Sequence, residues 1–424
     1  MSHFEVIVVG AGAAGLMAAA VAAERGKKVL LLEKNRRAGT KILMSGGTRC
    51  NITHATDRKG IIAAYRMQDR KQGDFLHSSL AALSPDDLLE FFHAEGVATK
   101  TEPGGKVFPV SNRASDVLDA LLQRLDRSGA RLALGEPLQT LAVTDAGGFE
   151  VKTSNQTLSC DKLILTTGGK SYPGSGTTGD GYAWLSALGH KIVSPRPALT
   201  PVTTNVEWVR ELKGITIPDV ALTLLNASDA VTAKKSDRID ERRGSFLFTH
   251  FGLSGPSPLD ISRSISGHAT PAALSLSCDF LPDSRPEEFQ KQCRSTFSSR
   301  GKRSILSALQ DLVPQFPRRL VTALLLGSRV SLDQRTAEVS KSQLQAIVSS
   351  FKTNRIPVSG TRGFKKAEVT AGGLSLAEVD SSTMQSRIVP NLFIAGELLD
   401  LDGPIGGYNF QAAFSTAWLA GASV

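Results

Sequence analysis

The sequence contains few cysteines, and none of them belongs to a CxxC pair. The four are isolated along the chain, at Cys50, Cys160, Cys278 and Cys293. Redox-active disulfides and structural zinc sites are built from closely spaced cysteines. The spacing therefore argues against a disulfide-reductase centre and against a zinc site, and we predict no metal site. Isolated thiols are typical of a reducing compartment.

The sequence also lacks a long hydrophobic run. A helix that crosses a bilayer needs about 20 apolar residues, and no run of that length is present. The first apolar run leads directly into a glycine motif and lacks the layout of a signal peptide. We therefore expect a soluble, cytoplasmic protein with no membrane partner. Its 424 residues, 41% of them hydrophobic, are enough for two or three domains with packed cores.

Basic residues are in excess, with a net charge of +9 and a pI near 9.4. They cluster at Lys34, Arg36, Arg37 and Lys41, at Lys234, Lys235, Arg238, Arg242 and Arg243, and at Arg300, Lys302 and Arg303. A solvated basic surface explains this composition, and an anionic macromolecule such as RNA is the alternative partner. Charge alone favours the solvated surface.

The N-terminal stretch is the most informative part of the sequence. An apolar run ends at Gly10, Gly12 and Gly15 of a GxGxxG motif, an alanine-rich helical pattern follows, and a second apolar run leads to Glu33. A strand before the glycines, a helix after them and an acid 18 residues past Gly15 are typical of a dinucleotide-binding βαβ unit. An ordinary βαβ unit with a glycine turn is the alternative.

Each residue of this motif has a physical role in dinucleotide binding. Gly10 permits the tight turn, Gly12 lets the backbone approach a pyrophosphate, and Gly15 lets helix and strand pack closely. The helix N-terminus offers unpaired N–H groups to the phosphates. Glu33 can accept hydrogen bonds from both ribose hydroxyls and would repel a 2′-phosphate.

A glycine-rich and polar segment follows at 39–51. Lys41 and Arg49 could neutralise phosphates, and Asn51 can both donate and accept hydrogen bonds. Cys50 is a candidate nucleophile, but no sequence feature identifies an activating partner. We therefore favour a thiol that is packed or that lies beside the cofactor.

Glycine motifs recur later in the chain. The strand at 391–395 ends near Glu397, and the glycine-rich segment at 403–411 leads into an apolar helix predicted at 412–420, so its backbone N–H groups could bind an anionic or carbonyl-rich group. A turn with a capped helix is the alternative. A second GxGxxG at 174–179 follows Pro173 rather than a strand, and we reject a second nucleotide fold there. His250, in a loop after a strand, could be an acid, a base or a substrate contact, although a loop histidine satisfied by the backbone is more common.

Seven ordered blocks give the chain a resemblance, nearly end to end, to the BaiN/RdsA-like family of bacterial FAD-dependent flavoproteins. Its members are described as aminoacetone oxidase, as a BaiN-type reductase and as ribosomal-RNA dihydrouridine synthase. The matching blocks are 10–16, 41–51, 106–111, 167–169 with 171–173, 247–256, 367–373 and 394–411.

The resemblance implies an α/β fold with a discontinuous, Rossmann-like FAD domain of the two-dinucleotide-binding type, an inserted β domain and a small helical module. We expect the FAD domain at 1–194 and 366–424. The β domain, on the substrate side, is expected at 195–281 and 351–365, and the helical module at 282–350.

The resemblance also implies which residues bind FAD. Those at the ADP part are Gly10, Gly12, Ala13, Ala14, Gly15, Glu33 and Lys34, with Pro137 at the adenine and Gly168 nearby. Those along the FAD towards its flavin end are Thr40, Lys41, Ser45, Gly46, Gly47, Arg49, Cys50 and Asn51. Those around the ribityl chain and the ring are Gly372, Gly373, Gly396, Glu397, Gly406, Gly407, Tyr408, Asn409 and Phe410. His250 and Cys50 become catalytic candidates by their positions in matching blocks.

Three positions depart from the family pattern. Thr48 stands where the family usually has a third glycine, and His54 stands where it usually has asparagine. Pro137 aligns with a valine whose backbone reaches the adenine, and proline has no N–H to donate. The last departure predicts a weaker or water-assisted adenine contact.

We therefore predict an FAD-dependent oxidoreductase with non-covalently bound flavin and with NAD(P)H as the expected electron donor. The substrate is expected to be a small molecule or ribosomal RNA. Three alternatives stay open: a dihydrouridine synthase that reduces uridine in 23S ribosomal RNA, an amine oxidase of the aminoacetone type, and a non-catalytic flavin-containing nucleic-acid-binding protein. No oligomeric state is predicted.

Overall fold

The computed structural model describes residues 2–226 and 237–424. Lys234 and Lys235, part of the second basic cluster, lie outside the described residues. The chain divides into two compact units, of which the first comprises Met1–Ala198 and Phe364–Val424 and the second comprises Leu199–Gly363. The finer division of the chain into three domains stays a prediction.

Both units contain β-strands. In chain order they are β1 (Ser2–Val9), β2 (Val29–Glu33), β3 (Thr53–His54), β4 (Thr99–Thr101), β5 (Lys106–Pro109), β6 (Arg131–Leu134), β7 (Leu138–Val143), β8 (Phe149–Thr153), β9 (Thr157–Leu165), β10 (Ile192–Ala198), β11 (Val202–Thr203), β12 (Thr216–Leu225), β13 (Arg238–Thr249), β14 (Gly252–Ser254), β15 (Ser275–Asp279), β16 (Asn354–Pro357), β17 (Gly360–Thr361), β18 (Val369–Leu374) and β19 (Leu392–Ile394).

The helices are mostly short. In chain order they are α1 (Ala13–Glu24), α2 (Thr40–Met44), α3 (Arg58–Gln68), α4 (Arg70–Phe75), α5 (His77–Ala82), α6 (Pro85–Ala94), α7 (Ala114–Arg127), α8 (Asp180–Ala187), α9 (Glu207–Glu211), α10 (Pro256–Ser266), α11 (Pro286–Ser299), α12 (Ile305–Leu312), α13 (Arg318–Gly327), α14 (Lys341–Lys352) and α15 (Tyr408–Ser423). Within the described part of the chain, none is long and apolar enough to cross a membrane.

The main sheet of the first unit has the strand order β6-β2-β1-β9-β8-β7, and β19 also pairs with β9. Strands β6, β2, β1, β9 and β19 run parallel, whereas β8 pairs with β9 and β7 with β8 in antiparallel fashion. Val9 is in register with both Leu32 and Leu165, so the carboxyl ends of three strands meet at one edge. Ligands of parallel α/β sheets bind beyond this edge.

The two ends of the chain build the first unit together. Strand β19 extends the sheet beside β9, and α15 packs along α1. The two helices are so close that a Cβ at Gly421 would lie 2.6 Å from Ala18 O. Since the sheet is parallel at its centre and carries these helices, the predicted α/β fold with a Rossmann-like sheet is confirmed.

The second unit is organised around an antiparallel sheet with the strand order β16-β15-β12-β13-β14-β11-β17. Its core contains the buried side chains of Phe246, Phe248 and Phe280. Helices α11 to α14 bury apolar faces in the same core, with Phe289 and Phe351 among the buried residues.

Candidate functional site

The first glycine motif lies at the carboxyl edge of the sheet. Gly10 has a φ of 102°, which glycine adopts at little cost, and its N–H donates to Leu32 O at 2.7 Å. A Cβ at Gly15 would lie 1.7 Å from Gly10 O, so only glycine lets α1 pack this closely. Gly12 caps α1 without a side-chain hydrogen bond, and a Cβ there would meet no atom within 4 Å. The N-terminus of α1 is therefore open to a ligand.

Glu33 lies beside this turn at the end of β2. Its Oε2 accepts a hydrogen bond from Ala11 N, and its Oε1 accepts one from Asn35 N, both at 2.8 Å. The carboxylate is thereby fixed across the turn, although each oxygen retains a lone pair for a further donor. The position and the spare acceptors match the predicted ribose contact.

Lys34 is engaged by the second GxGxxG segment. Its Nζ donates to Thr178 Oγ1 and to Asp180 Oδ2, both at 2.7 Å, and Asn35 Nδ2 donates to Ser175 O at 3.1 Å. The segment begins with a single 3₁₀ turn, Pro173–Ser175, which follows Tyr172. It serves here as a loop packed beside the end of β2, rather than as the turn of a second nucleotide fold.

Pro137 also lies near the end of β2. The preceding residue, Glu136, donates its backbone N–H to Glu33 O at 2.9 Å. Among the described residues, the buried Oε2 of Glu136 has no hydrogen-bond partner. The Glu136 carboxylate therefore offers a hydrogen-bond acceptor next to Pro137, which has no backbone N–H to donate.

The segment that begins with α2 has an unusual backbone. Gly46, Gly47, Thr48 and Cys50 all have φ between 55° and 69°. Non-glycine residues in this left-handed region carry a cost of about 1–2 kcal/mol. Thr48 therefore occupies a position that suits glycine, which is the residue the family usually has there.

Two buried polar atoms near this segment and near β9 lack partners among the described residues. They are Asn51 Oδ1 and Thr167 Oγ1. Buried polar atoms in folded proteins are nearly always hydrogen-bonded, so such atoms point to an external partner. Together with the open N-terminus of α1, they fit a large polar ligand such as FAD in this unit.

Lys41 contacts residues from distant parts of the first unit. Its Nζ donates to Ser171 Oγ at 2.7 Å and forms an ion pair with Glu397 Oε2. Glu397 Oε1 in turn accepts from Ser171 Oγ at 2.7 Å and from Thr370 N at 2.8 Å. We call Lys41, Ser171, Thr370 and Glu397 the Lys41 cluster.

Arg49 is also paired with a carboxylate. Its Nη1 lies 2.7 Å from Glu102 Oε1, and its guanidinium stacks 4.0 Å from the centre of the Phe108 ring. We expected Lys41 and Arg49 to be available to phosphates. In the structure each forms an ion pair with a carboxylate, Lys41 with Glu397 and Arg49 with Glu102, and their contact with phosphates stays a prediction.

The C-terminal glycine loop approaches β3. Gly407 caps α15 without a side-chain hydrogen bond, and a Cβ there would lie 2.3 Å from Thr53 O. His54 Nδ1 donates to Gly406 O at 3.0 Å, and its ring stacks on Tyr408 at 4.6 Å. The two ends of the chain therefore meet beside the N-terminus of α15.

Two predicted cofactor residues in this loop make internal contacts. Asn409 Oδ1 accepts from Gly403 N at 2.8 Å, and Asn409 Nδ2 donates to Gly403 O at 2.9 Å. The Phe410 ring stacks on Phe414. Asn409 therefore stabilises the loop, and Phe410 packs within α15. Their predicted contacts with the cofactor would be additional to these structural roles.

The remaining predicted glycines mark close approaches between elements. A Cβ at Gly372 would lie 2.4 Å from Ser194 O, and one at Gly373 would lie 2.8 Å from Leu398 O. A Cβ at Gly396 would lie 2.9 Å from Ala14 Cβ, so the segment after β19 touches the first turn of α1. A Cβ at Gly168 would lie 3.1 Å from Thr177 Cγ2.

The two catalytic candidates lie in different units. His250 is exposed in the turn between β13 and β14 of the second unit, where its carbonyl accepts from Arg210 Nε at 2.9 Å and its ring packs on Phe251. Its catalytic role stays a prediction. Cys50 is fully buried in the first unit, and burial raises the pKa of its thiol to about 12. A protonated thiol is a poor nucleophile and a poor proton acceptor.

We predict that a thiol-reactive dye labels none of the four cysteines in the native protein at pH 8 and labels all four after unfolding. All four are buried, and burial raises the pKa of each, to about 12 for Cys50, Cys160 and Cys293. Since a thiol in the unfolded chain titrates near 9, the native state holds these protons more tightly above that pH. The stability due to the protonated thiols is therefore complete below pH 9 and is lost as the pH rises towards 12. Fast labelling of Cys50 at pH 8 would contradict this assignment.

Sequence reasoning missed residues that fix the predicted ones. Ser171 and Thr370 both hydrogen-bond to Glu397, and Glu102 pairs with Arg49. Ser171 and Thr370 lie inside two of the blocks that match the family, and this position was the sequence feature that could have identified them. Glu102 lies outside every block, and no sequence feature indicated its role.

Comparison with known proteins decides the family. A family model described as the HI0933-like protein Rossmann domain matches residues 4–423. The chain belongs to this HI0933-like family. It is therefore an FAD-dependent oxidoreductase with a Rossmann-like domain, and the predicted family and enzyme class are confirmed.

Two relatives match the HI0933-like chain almost end to end. The ribosomal RNA dihydrouridine synthase of Escherichia coli (strain K12) is 32% identical over 99% of this chain and 97% of its own. The 3-dehydro-bile acid delta(4,6)-reductase of Clostridium scindens is 31% identical over 98% of this chain and 97% of its own. A solved 3-ketosteroid-delta4-(5alpha)-dehydrogenase from Rhodococcus jostii RHA1 shares the fold, with a TM-score of 0.54, 16% identity and coverage of 100% of this chain and 96% of its own.

Proposed function

We propose that this protein is an NAD(P)H-dependent flavin reductase that saturates a carbon–carbon double bond conjugated to a carbonyl group. We propose further that its substrate is uridine in large ribosomal RNA. The observation that carries the reaction class is the chemistry shared by the two relatives. Formation of dihydrouridine saturates a double bond beside a carbonyl of the uracil ring, and a bile-acid delta(4,6)-reductase acts on a conjugated ring system.

The distribution of charge favours the RNA substrate over a small molecule. Residues 199–363 contain 22 Lys and Arg against 15 Asp and Glu, whereas the rest of the chain contains 27 against 25. Most of the net positive charge therefore belongs to the second unit. A positive unit attracts a polyanion through the phosphate backbone, whatever the sequence of the RNA.

The residues of the first unit supply a binding site for FAD. The N-terminus of α1 at Gly12 would receive the pyrophosphate, and Glu33 would accept from the ribose. Asn51 Oδ1 and the N-terminus of α15 would meet polar groups of the flavin end, where the helix dipole stabilises negative charge. FAD, when bound, supplies hydride chemistry, and the protein binds the flavin, orients it and excludes competing reactions.

The test begins with the absorbance of the purified protein, which is expected to be yellow or to become so with added FAD. The protein is then incubated with NADPH or NADH and an unmodified transcript of large ribosomal RNA. We expect nicotinamide oxidation that depends on the RNA, together with a uridine that gains two hydrogen atoms by mass spectrometry. A protein that stays colourless with FAD, or a transcript that stays unchanged, would contradict the proposal.

A small conjugated enone is the second candidate substrate, because the bile-acid reductase matches the chain as fully as the RNA-modifying relative does. Saturation of a steroid enone without RNA turnover would favour it. An oxidase of the aminoacetone type would instead consume oxygen when an amine is supplied. The non-catalytic alternative is not retained, because the chain is an oxidoreductase.

A further inference from the structure

Glu368 lies at the edge of the Lys41 cluster. It directly precedes β18, and its carbonyl accepts from Ser171 Oγ at 3.3 Å. Two residues further on, Thr370 N donates to Glu397 Oε1. The chain neighbours of Glu368 on both sides, Ala367 and Val369, are buried, but Glu368 itself is exposed. Its backbone is thus anchored to the cluster while its carboxyl group can be reached from solvent.

The carboxyl group of Glu368 differs from that of Glu397. Glu397 accepts three hydrogen bonds, from Lys41, Ser171 and Thr370. Within residues 2–226 and 237–424, no group hydrogen-bonds to the Glu368 side chain. The Glu397 carboxylate is therefore held in place by hydrogen bonds, whereas the Glu368 carboxyl group can exchange a proton with a ligand or with solvent.

The surroundings of Glu368 favour its protonated form. The side chain keeps solvent-exposed surface, but the protein atoms packed around its carboxyl group displace part of the water there, and this desolvation raises the pKa of the carboxyl group. The positive charges of Lys41 and Lys106 only partly offset this effect. Glu397 adds a negative charge to the same cluster, where it is paired with Lys41. A carboxylic acid that stays protonated closer to neutral pH, in contact with solvent, is the usual form of a general acid.

We propose that Glu368 is the general acid that delivers a proton to the substrate. This role rests on the proposed function, and it assigns a proton donor that the sequence did not indicate. Saturation of the double bond requires a hydride at the carbon distant from the carbonyl and a proton at the adjacent carbon. A hydride equivalent from NAD(P)H, which is oxidised to NAD(P)⁺, brings the electron pair of the new C–H bond at the distant carbon. The displaced π pair of the double bond then takes the carboxyl proton of Glu368 and forms the C–H bond at the adjacent carbon. The Glu368 carboxylate then regains a proton from water.

The test compares wild type, Glu368→Gln and Glu368→Asp, with Glu150→Gln as a control because Glu150 is an exposed acid on β8 outside the cluster. The substrates are the ribosomal RNA transcript and a steroid enone. We expect Glu368→Gln to lower turnover by about 100-fold or more, with Glu368→Asp intermediate and the control unchanged. FAD content and the rate at which NADPH bleaches the flavin absorbance should be the same in all four proteins.

Two further measurements separate an acid from a residue that only supports the fold. Wild-type turnover should fall as the pH rises through the pKa of Glu368, because the acid must be protonated, and the Glu368→Gln profile should be flat there. In deuterated water, wild type should label one face of the adjacent carbon, and the variant should lose this preference.

The outcomes distinguish the two proposals. Active wild type with an equally active and equally face-selective Glu368→Gln overturns the role of Glu368 and leaves the proposed function standing. A variant that loses FAD or slows flavin reduction in proportion to turnover also overturns it, since the residue would then act through the cofactor. Wild type that reduces neither substrate overturns both proposals.

Discussion

Replacing Gly15 with alanine is expected to destabilise the first unit by about 3 kcal/mol or more and to abolish FAD binding. The added Cβ would lie 1.7 Å from Gly10 O and 2.7 Å from Thr166 Oγ1. The first of these atoms is backbone, and Thr166 Oγ1 is held by hydrogen bonds to Val9 O and Gly10 O. Neither can move without separating α1 from the sheet. Urea unfolding of the FAD-free protein measures the loss of stability.

Gly12→Ala is the matched variant in the same motif. A Cβ at Gly12 would meet no atom of the protein within 4 Å, so the FAD-free protein should keep its unfolding midpoint. The same methyl group would point into the space proposed for the pyrophosphate, so FAD affinity should still fall. Gly174→Ala, which also meets no atom within 4 Å, should change neither property. A Gly15→Ala protein with wild-type stability, or a Gly12→Ala protein with wild-type FAD affinity, would contradict this account.

Replacing Glu397 with leucine is expected to destabilise the FAD-free protein by about 3 kcal/mol. Glu397 and Lys41 expose only 18% and 28% of their side chains, so removal of the carboxylate leaves a largely buried ammonium group without its counter-charge. The change also removes acceptors from Ser171 Oγ and Thr370 N. The unfolding free energy in urea, measured without FAD, reports the loss.

A double-mutant cycle tests whether the ion pair causes this effect. Lys41→Met alone should also destabilise the protein, whereas Lys41→Met combined with Glu397→Leu should be more stable than the sum of the single changes indicates, because no unpaired charge remains. Glu150→Leu, at an exposed site, is the control. Additive effects of Lys41→Met and Glu397→Leu would show that the two side chains do not stabilise each other.

Much of the first unit could be predicted because its determinants are local. Gly10, Gly12 and Gly15 are separated from the strand and the helix they join by a few residues, and steric rules for the backbone dictate glycine there. Glu33 was placed correctly beside the turn because the end of β2 must lie next to the end of β1 in a parallel βαβ unit. The rejection of the second GxGxxG also followed from a local feature, the proline that precedes it.

The partners of charged residues could not be predicted in the same way. Lys41 and Arg49 were assigned to phosphates from their charge and their neighbourhood in the sequence. The structure pairs Lys41 with Glu397, 356 residues away, and Arg49 with Glu102, 53 residues away. Many carboxylates in the chain could have filled these roles, and only the packing of the elements selects between them.

The sequence by itself determined the family, the Rossmann-like fold and the dependence on FAD. These follow from glycine spacing, strand and helix periodicity and ordered motifs, all of which can be read along the chain. Only the tertiary structure decided which polar atoms remain without partners, such as Asn51 Oδ1, and which of two neighbouring acids is committed to an ion pair. Burial and pairing depend on contacts between distant segments, and the difference between Glu397 and Glu368 arises from those contacts alone.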